Sequence, residues 1–259
     1  MLFSIQANGH TYEGDLLVFD KDGLMFEAEQ FWIEMANARI RAISEYCSKE
    51  KIYTLAKLMG VKAKTNDKGV VEAEWVDPTG ILAIAPPTEE VVILAAFLVD
   101  HAGIVWHDAR NIAVKLFEKS DADIDLRRAL KPQPGYVALM NRINELGIPY
   151  GVATSDTVDR TRDSMQLYHC WDNVRFVVTS ADVPLGKPNP DMLLYISKKE
   201  NVPTSRMVMI GDSYVDVKMA HAAGSIGFGV TTSNEMKQKM KPFATEILDS
   251  LEGIEINIL

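Results

Sequence analysis

Leu16-Leu17-Val18-Phe19-Asp20-Lys21-Asp22-Gly23 is the stretch that decides the fold. Four consecutive apolar residues read as a strand buried on both faces of a parallel sheet. Such strands carry functional groups at their carboxyl ends, in the crevice where ligands bind. Alternation along an ideal strand would put Asp20 and Asp22 on one side. Two carboxylates that close repel one another, and a hard cation such as Mg²⁺ is the usual remedy. The motif therefore points to a metal and an anionic ligand. Asp and Gly also close strands as plain turn residues, so the rest of the chain has to separate the two readings.

The chain has 259 residues, 47% hydrophobic and 24% charged, with a net charge of −9. That is the composition of a globular protein, large enough for one domain or a core with an insertion. The acidic balance argues against nucleic-acid and membrane-surface roles, which favour a basic face. An anionic small molecule remains compatible, because one metal and one lysine reverse the sign locally. Cys47 and Cys170 are far apart and have no metal-ligand spacing, as expected of free thiols in a reducing compartment. No signal peptide is visible, and the longest apolar run, Val91 to Val99, is too short to span a bilayer. A cytoplasmic location is the expectation.

Outward from the opening stretch, residues 3–13 alternate around Asn8-Gly9, a hairpin signal. Residues 26–53 show helical spacing, and residues 62–90 read as a long polar loop. Helical patterns return near 88–100 and 107–119. After Leu130-Lys131-Pro132-Gln133-Pro134-Gly135 the texture becomes alternating helix and strand. Helices are expected at 136–146, 157–168, 190–200 and 214–222, and strands at 150–153, 174–178, 207–210 and 226–230. A weak helix near 234–240 and a last strand near 245–248 complete the tail. Repeated βα units imply a parallel sheet with helices on both faces. The fold class is α/β, a Rossmann-like parallel-sheet core over 1–25 and 131–259, with an inserted, mostly α-helical cap domain over 26–130. The insertion leaves just after the paired aspartates and returns through a Pro/Gly stretch, so a cap over the strand ends is expected.

Four groups of polar residues lie at or just after strand ends: Asp20 with Asp22; Thr154-Ser155; Lys187 in Gly186-Lys187-Pro188; and Asp212 with Asp216 in Gly211-Asp212-Ser213-x-x-Asp216. Phosphoryl transfer through an aspartate needs this set. A carboxylate attacks phosphorus, a second handles the leaving-group proton, and a cation and a lysine offset charge. A hydroxyl and backbone N–H groups bind the phosphoryl oxygens.

On these residues the chain resembles the haloacid dehalogenase superfamily, on its phosphatase, phosphoglycolate-phosphatase-like side. Phe19-Asp20-Lys21-Asp22-Gly23, Thr154, Lys187 and Gly211-Asp212-Ser213-x-x-Asp216 match its four motifs in order. The resemblance implies Asp20 as nucleophile and Mg²⁺ ligand. Asp22 would be the general acid and base, ligating the metal through its backbone carbonyl. Thr154 and the Ser155 N–H would bind phosphoryl oxygens, with Lys187 offsetting charge. Asp212 would ligate the metal and Asp216 would orient Lys187 or a metal-bound water. The implied partner is a small phosphorylated metabolite. Leu24 stands where the family commonly has Thr, and the insertion sits where the family's helical cap sits.

Plainer roles compete at some positions. Asp216 can form a capping box with Ser213, and Thr154 can cap the following helix. His101, His107 and the tryptophans at 32, 75 and 106 read as packing residues, and Lys62, Lys64 and Lys68 as a solvated face. A phosphomutase on the same fold and a non-enzymatic phospho-acceptor or ligand-binding protein are the alternatives. The former would pass phosphate to a second sugar phosphate. The latter gives Asp212 and Asp216 no role.

Overall fold

The computed structural model describes residues 2–259, and its chain divides into two compact units, 1–27 with 131–259, and 28–130. In chain order, the first unit opens with β1 (Phe3–Ala7), β2 (His10–Gly14) and β3 (Leu16–Phe19). The second unit follows with α1 (Ala28–Ile43), α2 (Lys49–Leu58), β4 (Val61–Thr65), β5 (Val71–Val76), α3 (Ile81–Ile84), α4 (Pro87–Ala102), α5 (Trp106–Ala122) and α6 (Leu126–Ala129). The first unit resumes with α7 (Tyr136–Leu146), β6 (Tyr150–Thr154), α8 (Val158–Gln166), β7 (Val174–Thr179), α9 (Asp191–Glu200) and β8 (Met207–Gly211). It ends with α10 (Tyr214–Ala223), β9 (Ile226–Val230), α11 (Asn234–Met240), β10 (Glu246–Leu248) and β11 (Glu255–Ile258).

The core sheet has six parallel strands in the order β10-β9-β8-β3-β6-β7. Every residue of β3, β6 and β8 is buried, as expected of strands covered on both faces. Leu16 and Val18 face a core with Met207 and Met209 of β8 and with Met192, Leu193 and Ile196 of α9. On the alternate positions Phe19 meets Tyr150 edge-to-face at 6.1 Å. The chain winds outward from β3 in both directions, so β3 lies at the switch point of the sheet. Phe19 is in register with Val152 of β6 and Ile210 of β8. The segments leaving these three strands therefore emerge side by side.

The Asn8-Gly9 hairpin forms, with both residues at positive φ, 50° and 80°. Its partner is not legible locally: β11 adds to β1 and makes a three-stranded antiparallel sheet, order β11-β1-β2. Glu246 of β10 accepts hydrogen bonds from Asn8 (2.8 Å) and Tyr12 (2.5 Å) and meets His10 at 2.7 Å, which ties the hairpin to that edge of the core sheet.

In the second unit two expectations need correction. The helical pattern of 26–53 is two helices, α1 and α2, separated by a turn at 44–48. The expected loop of 62–90 holds an antiparallel hairpin, β4-β5, then α3 and the start of α4. Its sequence does alternate: Val61-Lys62-Ala63-Lys64 against Val71-Glu72-Ala73-Glu74. Lys62 and Lys64 pair with Glu74 at 2.9 and 3.4 Å. The turn residues around the hairpin hide this period of two. Buried in the same unit, Arg39 meets Glu90 at 2.5 Å and Asp121 at 2.7 Å, with its guanidinium 4.1 Å from the Phe117 ring centroid. Among the described residues, no helix is long and apolar enough to cross a membrane.

Candidate active site

Asp20 follows β3 directly, and its N–H donates to the Ile210 carbonyl at 2.9 Å, which continues the sheet pairing by one residue. Strand geometry stops there. The chain turns at Gly23, where φ is +86° and a Cβ would lie 2.0 Å from Asp212 Oδ2. Only glycine fits both the backbone and the space. The turn is held by Gly23 N–H to Phe26 O, by Met25 N–H to Lys21 O, and by the Gln133 amide donating to Gly23 O at 2.8 Å. Leu24, at the position where threonine is common, is buried in the core. Gln133 supplies turn support from across the chain.

Lys187 comes from the loop after β7. Asn189 N–H and its side-chain amide both donate to Gly186 O, and Asp191 accepts from Leu185 N–H, so the loop is a closed turn. The Lys187-Pro188 bond is cis. Lys187 Nζ lies 2.7 Å from Asp20 Oδ1 and 2.6 Å from Asp216 Oδ1. Asp216 is fully buried, and its Oδ2 accepts from Ser213 N–H at the start of α10. Capping and ion pairing thus coexist on one carboxylate. Asp212 lies at the end of β8. One carboxylate oxygen from each of Asp20, Asp212 and Asp216 falls within 4.8 Å of the others.

With all three carboxylates ionised, one ammonium would leave two negative charges uncompensated, with Asp20 and Asp216 buried and Asp212 part-exposed. Burial raises Asp20, repulsion from Asp216 adds to it, and Lys187 only partly reverses the shift. Burial pushes Asp212 well above the usual carboxylate range, and the charges of Asp20 and Asp216 add to that. Burial works against the Lys187 ammonium, yet Asp20 and Asp216 outweigh it and hold its pKa above the ordinary lysine value. Buried oxygen donors with excess negative charge are what a hard divalent cation requires. The residues fit such an ion.

Asp22 belongs to a different network. Its Oδ1 lies 2.5 Å from Lys21 Nζ, which also contacts Asp156 Oδ2 at 2.9 Å. Its pKa is pushed up to about 6, by burial first and by the Asp156 charge, against the pull of Lys21. Thr154 ends β6 and is buried. Its hydroxyl accepts from Asp156 N–H at 3.1 Å, and the cap of α8 is Thr157 instead, which accepts from Arg160 N–H. Ser155 lies between Thr154 and Asp156. The structure therefore brings together Asp20, Lys187, Asp212 and Asp216 directly, with Thr154 and Ser155 on the neighbouring strand end. Three participants escaped the sequence reading: Lys21, Asp156 and Gln133. A charged residue between two aspartates, and an aspartate two positions after Thr154, were the available signals for the first two. Gln133 had none. In the inserted unit His101 packs edge-on against Phe97 at 4.3 Å, in keeping with a packing role.

Residues 15–224 match the family described as haloacid dehalogenase-like hydrolase. An uncharacterised hydrolase of Saccharomyces cerevisiae is 27% identical over 204 residues, 75% of this chain and 90% of that protein. The phosphoglycolate phosphatase of Neisseria meningitidis is 29% identical over 101 residues, 39% of this chain and 43% of that protein, so this match spans less than half of either. A crystal structure described as a predicted phosphoglycolate phosphatase from Haemophilus somnus has the same fold, with a TM-score of 0.63 at 16% identity over 92% of this chain and 95% of that one. The motif residues, their convergence on adjoining strand ends and the extent of the family match agree: this chain belongs to the haloacid dehalogenase-like hydrolase family.

Proposed function

We propose that the protein is a Mg²⁺-dependent phosphatase that hydrolyses a small phosphorylated metabolite through an aspartyl-phosphate on Asp20. One observation carries this reading: a carboxylate at the end of the central strand, bonded to a buried lysine and flanked by two further acids, the buried Asp216 and the part-exposed Asp212. The similarity to phosphoglycolate phosphatases supports a phosphate monoester as substrate class. In this reading 1–25 and 131–259 form the catalytic core and 26–130 the helical cap.

Asp20 Oδ attacks phosphorus in line, and the bond from phosphorus to the ester oxygen breaks. The departing oxygen takes its electron pair and the proton of Asp22, leaving as an alcohol. Asp22 then removes a proton from water as the water oxygen attacks the aspartyl-phosphate. The bond from phosphorus to Asp20 breaks, which frees phosphate and regenerates the carboxylate. Thr154 and the Ser155 N–H bind phosphoryl oxygens, and Lys187 offsets their charge and orients Asp20. Asp216 holds Lys187. Asp20, Asp212 and the Asp22 carbonyl would hold Mg²⁺, which supplies Lewis-acid stabilisation of the transferring group.

The test is Mg²⁺-dependent phosphate release across a panel of phosphorylated metabolites, with Asp20→Asn protein alongside. Release by the unaltered protein alone is the expected result. Transfer of phosphate to a second sugar phosphate, without release, would make it a mutase. A phosphoryl group that stays on Asp20 without turnover would make it a phospho-acceptor.

A further inference from the structure

We propose that Lys21, held by Asp156, is the positioning residue that aims the Asp22 carboxyl at the leaving-group oxygen. The inference rests on the phosphatase reading above and goes one layer outward from it. Lys21 is 0% exposed, so it cannot touch a substrate, whereas the Asp22 side chain keeps 16% of its surface. Nothing in the four matched motifs requires a lysine between the two aspartates. An ammonium without solvent is costly unless paired, and even a well-paired buried ion pair is seldom more stabilising than an apolar pair of the same size. Its position beside the nucleophile and bonded to the proton-transfer group is better explained by geometry than by stability.

The contacts form a relay of fixed positions. Lys21 Nζ bonds Asp22 Oδ1 at 2.5 Å and Asp156 Oδ2 at 2.9 Å. Asp156 is itself immobilised: its Oδ1 accepts from Thr157 N–H at 2.7 Å and meets Arg160 at 3.3 Å, both at the start of α8. Its own N–H donates to Thr154 Oγ1. The frame that fixes Asp22 is therefore the same turn that carries Thr154 and Ser155. Asp22 follows the last strand residue by three positions and lies outside the sheet, with an isolated bridge to Phe26, so strand alternation does not orient its side chain. Displacement of a catalytic group by about 1 Å costs about 10²-fold in rate.

Steady-state kcat/KM for p-nitrophenyl phosphate and for phenyl phosphate tests this in the Mg²⁺-loaded protein. The first ester leaves readily without a proton and the second does not. Lys21→Met is expected to lower kcat/KM for phenyl phosphate by about 100-fold and that for p-nitrophenyl phosphate by less than about threefold, since proton transfer contributes about 10²-fold or more only where the leaving group needs it. Asp156→Asn, which loosens Lys21 without removing it, is expected to act in the same direction with a smaller selective loss; it carries the test if Lys21→Met does not fold. A loss equal for both esters, or none, in a variant with an unchanged melting curve overturns the proposal. If the unaltered protein releases phosphate from neither ester, nor from any metabolite of the panel, the phosphatase reading itself fails.

Discussion

Lys187 Nζ is 2.7 Å from Asp20 Oδ1 although 167 positions separate them in sequence. The same ammonium holds Asp216, so one lysine organises two of the three acids of the site. The charge it leaves uncompensated shapes most of what the protein is expected to do.

Asp20→Asn is expected to reduce turnover at least a thousandfold while leaving the fold intact, because an amide cannot serve as the nucleophile. Asp20 titrates above its ordinary value, so its negative charge is on balance disfavoured in the folded protein without metal. The variant should melt no lower than the parent in the absence of Mg²⁺. Phosphate release together with a thermal melt checks both halves, and near-parental activity excludes Asp20 as nucleophile.

Lys187→Met removes the ammonium that pairs with the two buried carboxylates, Asp20 and Asp216. Deleting one partner of a buried pair costs about 3–5 kcal/mol. The loss should shrink in acid, where the carboxylates protonate. Urea unfolding at neutral and mildly acidic pH measures it, and a pH-independent loss would mean the ion pair contributes little.

Metal binding should be linked to protons. Burial pushes the Asp22 carboxyl up to about 6 in the folded chain, against 3.8 for an ordinary aspartate. Between those values the folded state holds more protons than the unfolded one, so this contribution to stability falls as pH rises through about 4 to 6. Asp20 and Asp212 are raised too and act in the same sense. Asp156 is lowered, and its contribution is lost only in acid. A cation must displace the protons of the carboxyl groups that would ligate it, Asp20 and Asp212, whereas Asp22 would meet it through its backbone carbonyl; Mg²⁺ should therefore raise Tm more at about pH 7.5 than at about pH 5. Calorimetry giving the same rise at both would exclude the acidic cluster as the binding site.

Gly23→Ala places a Cβ 2.0 Å from Asp212 Oδ2, on a residue at φ +86°. The backbone alone costs about 1–2 kcal/mol, and the clash displaces a candidate metal ligand. Lower Tm and weaker Mg²⁺ binding by calorimetric titration are expected together. A drop in Tm with unchanged Mg²⁺ affinity would separate the turn from the metal site.

In the inserted unit, Arg39→Met should destabilise by about 3–5 kcal/mol by leaving Glu90 buried without its partner, while the double variant with Glu90→Leu should recover much of the loss. Chemical unfolding of the parent, Arg39→Met, Glu90→Leu and the double variant gives the coupling directly. Additive losses would mean that Arg39 acts through Asp121, Ser120 and its stacking on Phe117 rather than through Glu90.

Much of the core was legible in the sequence because its signals are local. Leu16–Phe19, Tyr150–Ala153 and Met207–Ile210 are short apolar runs, each followed by polar residues, and a parallel sheet sends such ends to one edge. Asp20, Thr154, Lys187, Asp212 and Asp216 could be named from that rule and from the motifs. The tertiary structure alone decided which of these groups touch. Asp22 pairs with Lys21, which also holds Asp156, because strand alternation no longer sets side-chain directions beyond the end of β3. Gln133, more than a hundred positions away, ties the turn at Gly23, next to the buried Leu24. β11 completes the sheet of the N-terminal hairpin by pairing Phe3 with Ile258. A chain records residue types and local periods, whereas pairing between distant segments follows from how the core is enclosed; the motifs therefore name the participants, and packing sets their partners and their charge.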